Sequence, residues 1–335
     1  MPRNAKAGSG GLAVLVILLL AAGGATFFLM GRGAPPRIAN TGAPGAPGPK
    51  GVSVDDAVDA VKKLVANSDW PRAEALLRES IALFPEEQAL RVLMAQVHTA
   101  QARDAEAYEQ YEKALAIGPR EGELEFAAGT SANAAGKPER AAEHYAAAQA
   151  QLRTDWKPPL YLAQVQMKLG RYDEAKKNLL MAVHLKQDLA IAWGSLAEVA
   201  LRENAAETAL RHVQHARLIE PESVVWRLVE ARALKRLAKP NEALALFVGL
   251  SDEQKLEPGV LRLMGECLGM MQRPDEAAIL YTRFADKLPE RGDLAYEAAL
   301  WLERAGDKAR AKQYAERAKF LNVDGAAELL ARVGH

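Results

Sequence analysis

One spacing constrains this chain more than any other property: small residues recur every 34 positions from Val54 onward, eight times, without an insertion. With units starting at 54, 88, 122, 156, 190, 224, 258 and 292, the twentieth position is always alanine: Ala73, Ala107, Ala141, Ala175, Ala209, Ala243, Ala277 and Ala311. The eighth position is small or modest throughout (Val61, Ala95, Gly129, Ala163, Ala197, Ala231, Gly265 and Ala299). In the unit starting at 190, Trp193, Leu196 and Ala197 share one face of a first helix. Ala209, Val213 and Ala216 share a face of a second, with the polar Glu203-Asn204 between. Small residues at a crossing let two helices approach closely, so each unit reads as an antiparallel pair. Pro85, Pro119, Pro221 and Pro289 close four units, because proline cannot continue a helix; Arg153, Gln187, Lys255 and Val323 hold that place in the others.

The run Trp193, Leu196, Ala197, Ala200, Ala209, Val213, Pro221 resembles the tetratricopeptide repeat (TPR), with Ala200 for the usual Tyr and Val213 for the usual Phe. The resemblance implies an all-α fold, a right-handed superhelical solenoid of eight helix-turn-helix repeats over residues 54–325, and the apolar run ahead of it is expected to add one transmembrane helix. The first repeat, with Ala57 and Ala60 where larger residues usually stand, reads partly as a cap. Ser53 has the chemistry of its N-cap, with Asp55 and Asp56 in the first turn. Residues 324–335 read as a capping helix and tail: Asp324 would N-cap a helix over 325–333, and Leu329, Leu330 and Val333 would cover the apolar end.

Ahead of the repeats, residues 1–10 form a short basic head and 11–31 an uncharged apolar stretch. Roughly 20 helical residues cross the hydrocarbon core, so 11–31 suffices for a single-pass signal anchor. Cleavage after Ala25 would leave Thr26-Phe27-Phe28-Leu29-Met30 as an exposed apolar start, which disfavours a cleaved signal peptide. Arg3 and Lys6 on one side nearly balance Arg32, Arg37 and Lys50 on the other, leaving orientation open. A short basic head favours a cytoplasmic start and a periplasmic body. Residues 32–53 are dense in Pro and Gly and read as an extended spacer.

All five charges in 1–53 are basic, so the remainder carries 38 basic against 43 acidic groups, a net of −5. That balance argues against nucleic-acid binding, which needs a basic surface. The single cysteine, Cys267, excludes an intrachain disulfide and CxxC metal or haem motifs, and reads as a buried, inert thiol. No phosphate-binding GxxxxGK[ST] loop, HExxH or GxSxG motif occurs, so neither an enzyme nor a cofactor is expected. His212 and His215 have a metal-site spacing but no third ligand at helical distance; the solvent-facing reading is preferred. His98 reads as a satisfied packing residue.

The resemblance implies recognition of a partner's peptide on the concave face, through positions 2, 5, 9, 12 and 13 of each repeat. Those positions hold Val92, Gln96, Thr99, Phe126, Thr130 and Asn133 in the second and third repeats. The fourth and fifth add Leu160, Gln164, Met167, Lys168, Glu198, Leu201 and Arg202. Leu228, Arg232, Lys235, Arg236, Arg262, Glu266, Tyr296, Glu303 and Arg304 complete the lining. The cluster Arg232-Lys235-Arg236-Arg262 suits an acidic segment or a free C-terminus, although Glu230 and Glu266 are available to neutralise it. No repeat pairs Lys at position 5 with Asn at position 9, so the two-carboxylate clamp of some TPR domains is not expected.

The expected function is a non-enzymatic adaptor in a bacterial inner membrane, the setting taken from resemblance to membrane-anchored TPR proteins. It would serve assembly of an envelope complex such as a secretion, pilus, cytochrome-maturation or polysaccharide-export system. A self-assembling, membrane-tethered homo-oligomer is the alternative. The anchor is directly testable: the full chain should stay with membranes through a high-salt wash, whereas a fragment from Ser53 onward should not. A C-terminal tag should become protease-accessible once the outer barrier is opened; protection until the inner membrane is broken would reverse the orientation.

Overall fold

The computed structural model describes residues 53–334, and every regular element among them is helical. The chain divides into two compact units, the first ending at Leu196 and the second beginning at Ala197. The first contains α1 (Val54–Ala66), α2 (Trp70–Leu83), α3 (Gln88–Ala100), α4 (Asp104–Ile117), α5 (Gly122–Ala134), α6 (Pro138–Gln151), α7 (Lys157–Lys168) and α8 (Tyr172–Leu185). The boundary falls within α9 (Ala190–Arg202). The second unit continues with α10 (Ala206–Ile219), α11 (Val224–Arg236), α12 (Pro240–Ala245), α13 (Asp252–Lys255) and α14 (Val260–Met270). It ends with α15 (Pro274–Lys287), α16 (Gly292–Arg304), α17 (Lys308–Phe320) and α18 (Ala326–Val333). Within each unit, helices pack chiefly on their chain neighbours. The second helix of each pair begins at 70, 104, 138, 172, 206, 240, 274 and 308, a constant step of 34.

The reason for that step is visible in the packing. All eight alanines of the twentieth position are completely buried. Where the crossing residue on the second helix is the large Tyr145 or Tyr281, the first helix answers with Gly129 or Gly265. A Cβ there would come within 2.9 Å of the Tyr145 ring or 2.8 Å of the Tyr281 ring. Small and large residues thus trade volume across one crossing.

A second constant, not foreseen from the sequence, is the turn between paired helices. Ser68, Ala102, Gly136, Gly170, Asn204, Ala238, Gln272 and Gly306 all have positive φ, from 56° to 84°. All eight occupy the fifteenth position of their repeat. The following backbone N–H then reaches back to the first helix, as in Asp69 to Leu64 O (2.9 Å), Lys137 to Ala132 O (2.9 Å) and Asp307 to Leu302 O (2.9 Å). This is the Schellman closure, which satisfies carbonyls that a helix end leaves open. Glycine adopts it freely; Ser68, Ala102, Ala238 and Gln272 adopt it against their Cβ.

Three expectations are corrected. The sixth repeat lacks a full second helix: α12 stops at Ala245, and α13 is a separate single turn. Gly249 (φ 82°) breaks the helix, and Ser251 starts a new one through a capping box with Gln254 (3.0 and 3.2 Å). Phe247 and Leu250 still fill the core, while Val248 is 78% exposed. At the C-terminal end the cap begins at Ala326, with Gly325 (φ 79°) and not Asp324 at the N-cap. Leu329 and Val333 are buried and Leu330 packs beside them, as the capping reading requires. Finally, buried His98 has no hydrogen-bond partner on Nδ1, so it is packed but only partly satisfied; burial, then Arg103, lowers its basicity. At the other end Ser53 does form the N-cap, in a capping box with Asp56 (3.1 and 3.3 Å). The apolar stretch 11–31 lies outside the described residues; among those described, no helix is long and apolar enough to cross a membrane.

The turn geometry makes a signed prediction. Ala238→Gly and Gln272→Gly should each stabilise by about 0.5–1 kcal/mol, since relief of a left-handed Cβ clash (about 1–2) exceeds the added unfolded-state entropy (about 0.4–1). Gly136→Ala should destabilise. Urea midpoints measure all three, and a lower midpoint for Ala238→Gly would contradict the account.

Candidate peptide-binding face

The expected lining comes from first helices, whose successive turns present residues three and four apart on one stripe. The structure sorts these residues into three groups: buried, internally paired and available.

In the first unit, Leu160 and Met167 are buried and belong to the core, which corrects their expected place in the lining. Phe126, Asn133 and Gln164 are half-buried and Lys168 is exposed. The Lys168 ammonium donates to Asn133 Oδ1 (3.0 Å), linking α7 to α5. Phe126 meets Tyr161 edge-on, ring centroids 5.2 Å apart, and lies 5.4 Å from Tyr145. Tyr161, one position outside the inward set, was missed; its half-buried phenol has an acidity weakened by burial. An aromatic two residues from Pro159, beside the inward-facing Leu160, was the available signal.

In the second unit, Leu201, Leu228 and Glu198 are buried, another correction. Glu198 is 1% exposed, and Arg232 forms an ion pair with it across 34 residues. The expected neutraliser of the cluster, Glu230, is taken by Arg217. Arg236 donates to the Leu201 carbonyl at the end of α9, and its Asn204 Oδ1 contact is 3.5 Å. A cation there complements the helix dipole, at a carbonyl that also accepts from the Asn204 N–H (3.3 Å). Lys235 Nζ is 2.5 Å from Glu266 Oε2. The four-residue cluster is therefore not a free anion receptor: Arg232, Lys235 and Arg236 join one repeat to the next.

What stays available is smaller. The Arg262 side chain is 60% exposed and only loosely paired with Glu266 (3.8 Å). Arg304 is exposed, its guanidinium 4.4 Å above the Trp301 ring. Between them lies Glu297, whose carboxyl is raised by burial against the pull of Arg304, Trp301 and Arg262. Gly269 makes room for Trp301, since a Cβ would meet its ring at 2.8 Å. Half-buried Tyr296 lines the same helix, and Glu303 accepts from Nε and Nη2 of Arg332 (2.6 Å each). Arg202 is half-buried.

Cys267 is buried, and burial pushes its thiol up to about 11, which suppresses the reactive thiolate. His212 is half-buried and His215 exposed. Among the described residues no three His, Cys, Asp or Glu side chains are placed to hold a metal ion.

Comparison with known proteins agrees with this architecture. Residues 132–199 match the family model described as Tetratricopeptide repeat. No curated protein matches the chain. Among solved structures, a tetratricopeptide repeat protein from Parabacteroides merdae superposes with a TM-score of 0.51 at 14% identity, covering 84% of this chain and 98% of that one. PilF of Pseudomonas aeruginosa gives 0.50 at 17% identity, covering 64% of this chain and 96% of its own. YrrB, whose structure is described as that of a TPR protein with an unusual peptide-binding site, gives 0.49 at 19%, covering 51% and 88%. The family match across the centre of the chain and helix pairs repeating every 34 residues lead to one conclusion: the described residues have an all-helical, TPR-like fold, with the tetratricopeptide repeat itself matched over residues 132–199.

Proposed function

We propose that this protein is a non-enzymatic scaffold that binds a peptide segment of a partner protein on the first-helix face of its repeats. The single observation that carries the reading is the exposed pair Arg262 and Arg304 on α14 and α16 of the second unit. Neither is locked onto a buried carboxylate, as Arg232 is, so both can offer bidentate forks to an acidic segment or a free C-terminus. Arg304, lying over Trp301, is held in position at little further entropic cost.

The finer assignment follows the sequence. Residues 11–31 tether the body to a bacterial inner membrane in a single pass, the spacer 32–53 holds it clear, and the periplasmic repeats gather partners for an envelope complex. Self-assembly of several copies is the competing reading. It has less support at the C-terminal end, where α18 covers the apolar face with Leu329 and Val333.

The test uses a fluorescent decapeptide of alternating Glu and Leu with a free carboxyl terminus, titrated against the full chain. Reversing both charges, Arg262→Glu with Arg304→Glu, should weaken binding by about 10-fold or more, given roughly 1.5–3 kcal/mol for a charge-assisted hydrogen bond. Helicity should not change. Arg232→Ala behaves differently: it strands Glu198 in the core and should cost about 3–5 kcal/mol of stability by urea unfolding. Equal affinity for wild type and the double reversal would end the proposal.

A further inference from the structure

The first unit carries a surface with unspent chemistry of its own, and it shares no residue with the Arg262–Arg304 pair. On α5, Phe126, Thr130 and Asn133 follow one another at steps of four and three; on α7, Tyr161, Gln164 and Lys168 follow at three and four. Each trio therefore forms one stripe along its helix. Two contacts hold the stripes side by side. The Phe126 and Tyr161 rings meet edge-on with centroids 5.2 Å apart, and the Lys168 ammonium donates to Asn133 Oδ1 at 3.0 Å. Tyr145, fully buried on α6, underlies the aromatic end, its centroid 5.4 Å from Phe126 and 5.7 Å from Tyr161.

The two ends differ in what they still offer. At the aromatic end both rings are only half-buried and keep open apolar surface. At the other end Lys168 is exposed, yet the protein around its ammonium desolvates it and lowers its basicity, with no charged group offsetting this. Its polar partner among the described residues is the neutral Asn133 amide. That bond also orients the amide: Oδ1 faces the ammonium, so the Asn133 NH2 group points elsewhere and donates to no described residue. Thr130, between the ends, is already engaged, donating to the Phe126 carbonyl (3.0 Å) and accepting from the Tyr145 hydroxyl (3.3 Å). Arg217, Arg232 and Lys235, by contrast, each hold a carboxylate of the protein.

Spacing decides what fits. Phe126 and Asn133, like Tyr161 and Lys168, are seven residues apart on a helix, about 10.5 Å at about 1.5 Å per residue. An extended peptide returns side chains to one face every second residue, at about 6.6 Å or about 13 Å. A helix lying along the stripes matches the spacing, because its own residues seven apart share a face at about 10.5 Å. We propose that the α5 and α7 stripes dock an amphipathic helix of a partner protein, with an aromatic or large apolar side chain against Phe126 and Tyr161 and an Asp or Glu seven residues away against Lys168 and Asn133. This docking rests on the scaffold reading for the existence of a partner and on none of the residues named for it.

The test titrates the full chain with a fluorescent helical peptide of about 20 residues, built on Ala and Gln, with one Phe and a Glu seven residues to either side of it. The two Glu residues cover both directions in which the helix could lie. A control peptide moves each Glu to five residues from the Phe, off its face. The first peptide should bind at least about tenfold more tightly than the control, the size of one charge-assisted hydrogen bond. Lys168→Glu should abolish that preference, and a peptide with Lys in place of both Glu residues should restore it on this variant alone, a rescue that a purely structural lysine would not give. Reversing Arg262 and Arg304 should leave all these affinities unchanged, so failure of one surface is distinguishable from failure of the other. Equal affinity for the two peptides, or no binding of the first up to about 1 mM, would overturn the proposal. A preference that survives Lys168→Glu would reduce Lys168 to a joint between repeats and overturn it as well.

Discussion

The contact on which everything else rests is the crossing of two helices at a buried alanine. Because the twentieth position of every repeat has almost no side chain, paired helices come close enough for their large neighbours, Leu77, Tyr145, Phe247 or Tyr281, to be enclosed. That approach demands a short connection, which in turn demands a left-handed residue at the fifteenth position. The turn is then constant even where the residue is unsuited to it. Ala102 and Ala238 are held there by the hydrogen bond that follows, Arg103 or Lys239 to the preceding helix (2.9 Å each), and by the packing that the closure allows.

Adjacent repeats share apolar clusters, as where Val61 and Leu77 meet Leu90, Met94 and Val97, and are fastened further by polar side chains reaching back about one repeat. Arg232 reaches Glu198, Arg236 the Leu201 carbonyl, Lys168 reaches Asn133, and Arg317 the carbonyls of Ala285 and Pro289. Where the sixth repeat loses its second helix, the same device reappears in another form. Asp252, at the start of the substitute turn, accepts from Arg283 (2.8 and 2.9 Å) and from Lys287 on the next repeat. The charge of Lys287, its hydrogen-bond partner, helps hold the Asp252 carboxyl below its usual range despite some burial. A chain balanced in charge overall thus spends many of its basic groups on internal joints.

This economy reshapes the functional reading. A basic cluster on a recognition face suggests an anion receptor, yet three of its four members have partners within the protein, Arg236 among them although it is exposed, and Arg262 alone of the four is only loosely paired. The second exposed fork, Arg304, sits one repeat further on and gains definition from Trp301. In the first unit the corresponding face is aromatic and polar, built on Phe126 and Tyr161 more than on charge.

The sequence by itself determined the fold class, the phase of the repeats, the N-cap at Ser53 and the buried alanines. Those properties arise from residues three or four apart on one helix, or from a strict period that any pairing must obey. Tertiary structure alone decided the turn conformation at Ala102 or Gln272, which carry no turn signal of their own, and the break in the sixth repeat, where Gly249 and Ser251 outweigh helical continuation. It also decided which polar groups are free. Arg232 and Glu198 are 34 residues apart, and His144 meets Glu112 and Glu125 from separate helices. Partners at such separations are set by how one repeat rests on the next, so a one-dimensional pattern can show that a cation is present without showing that it is already spent.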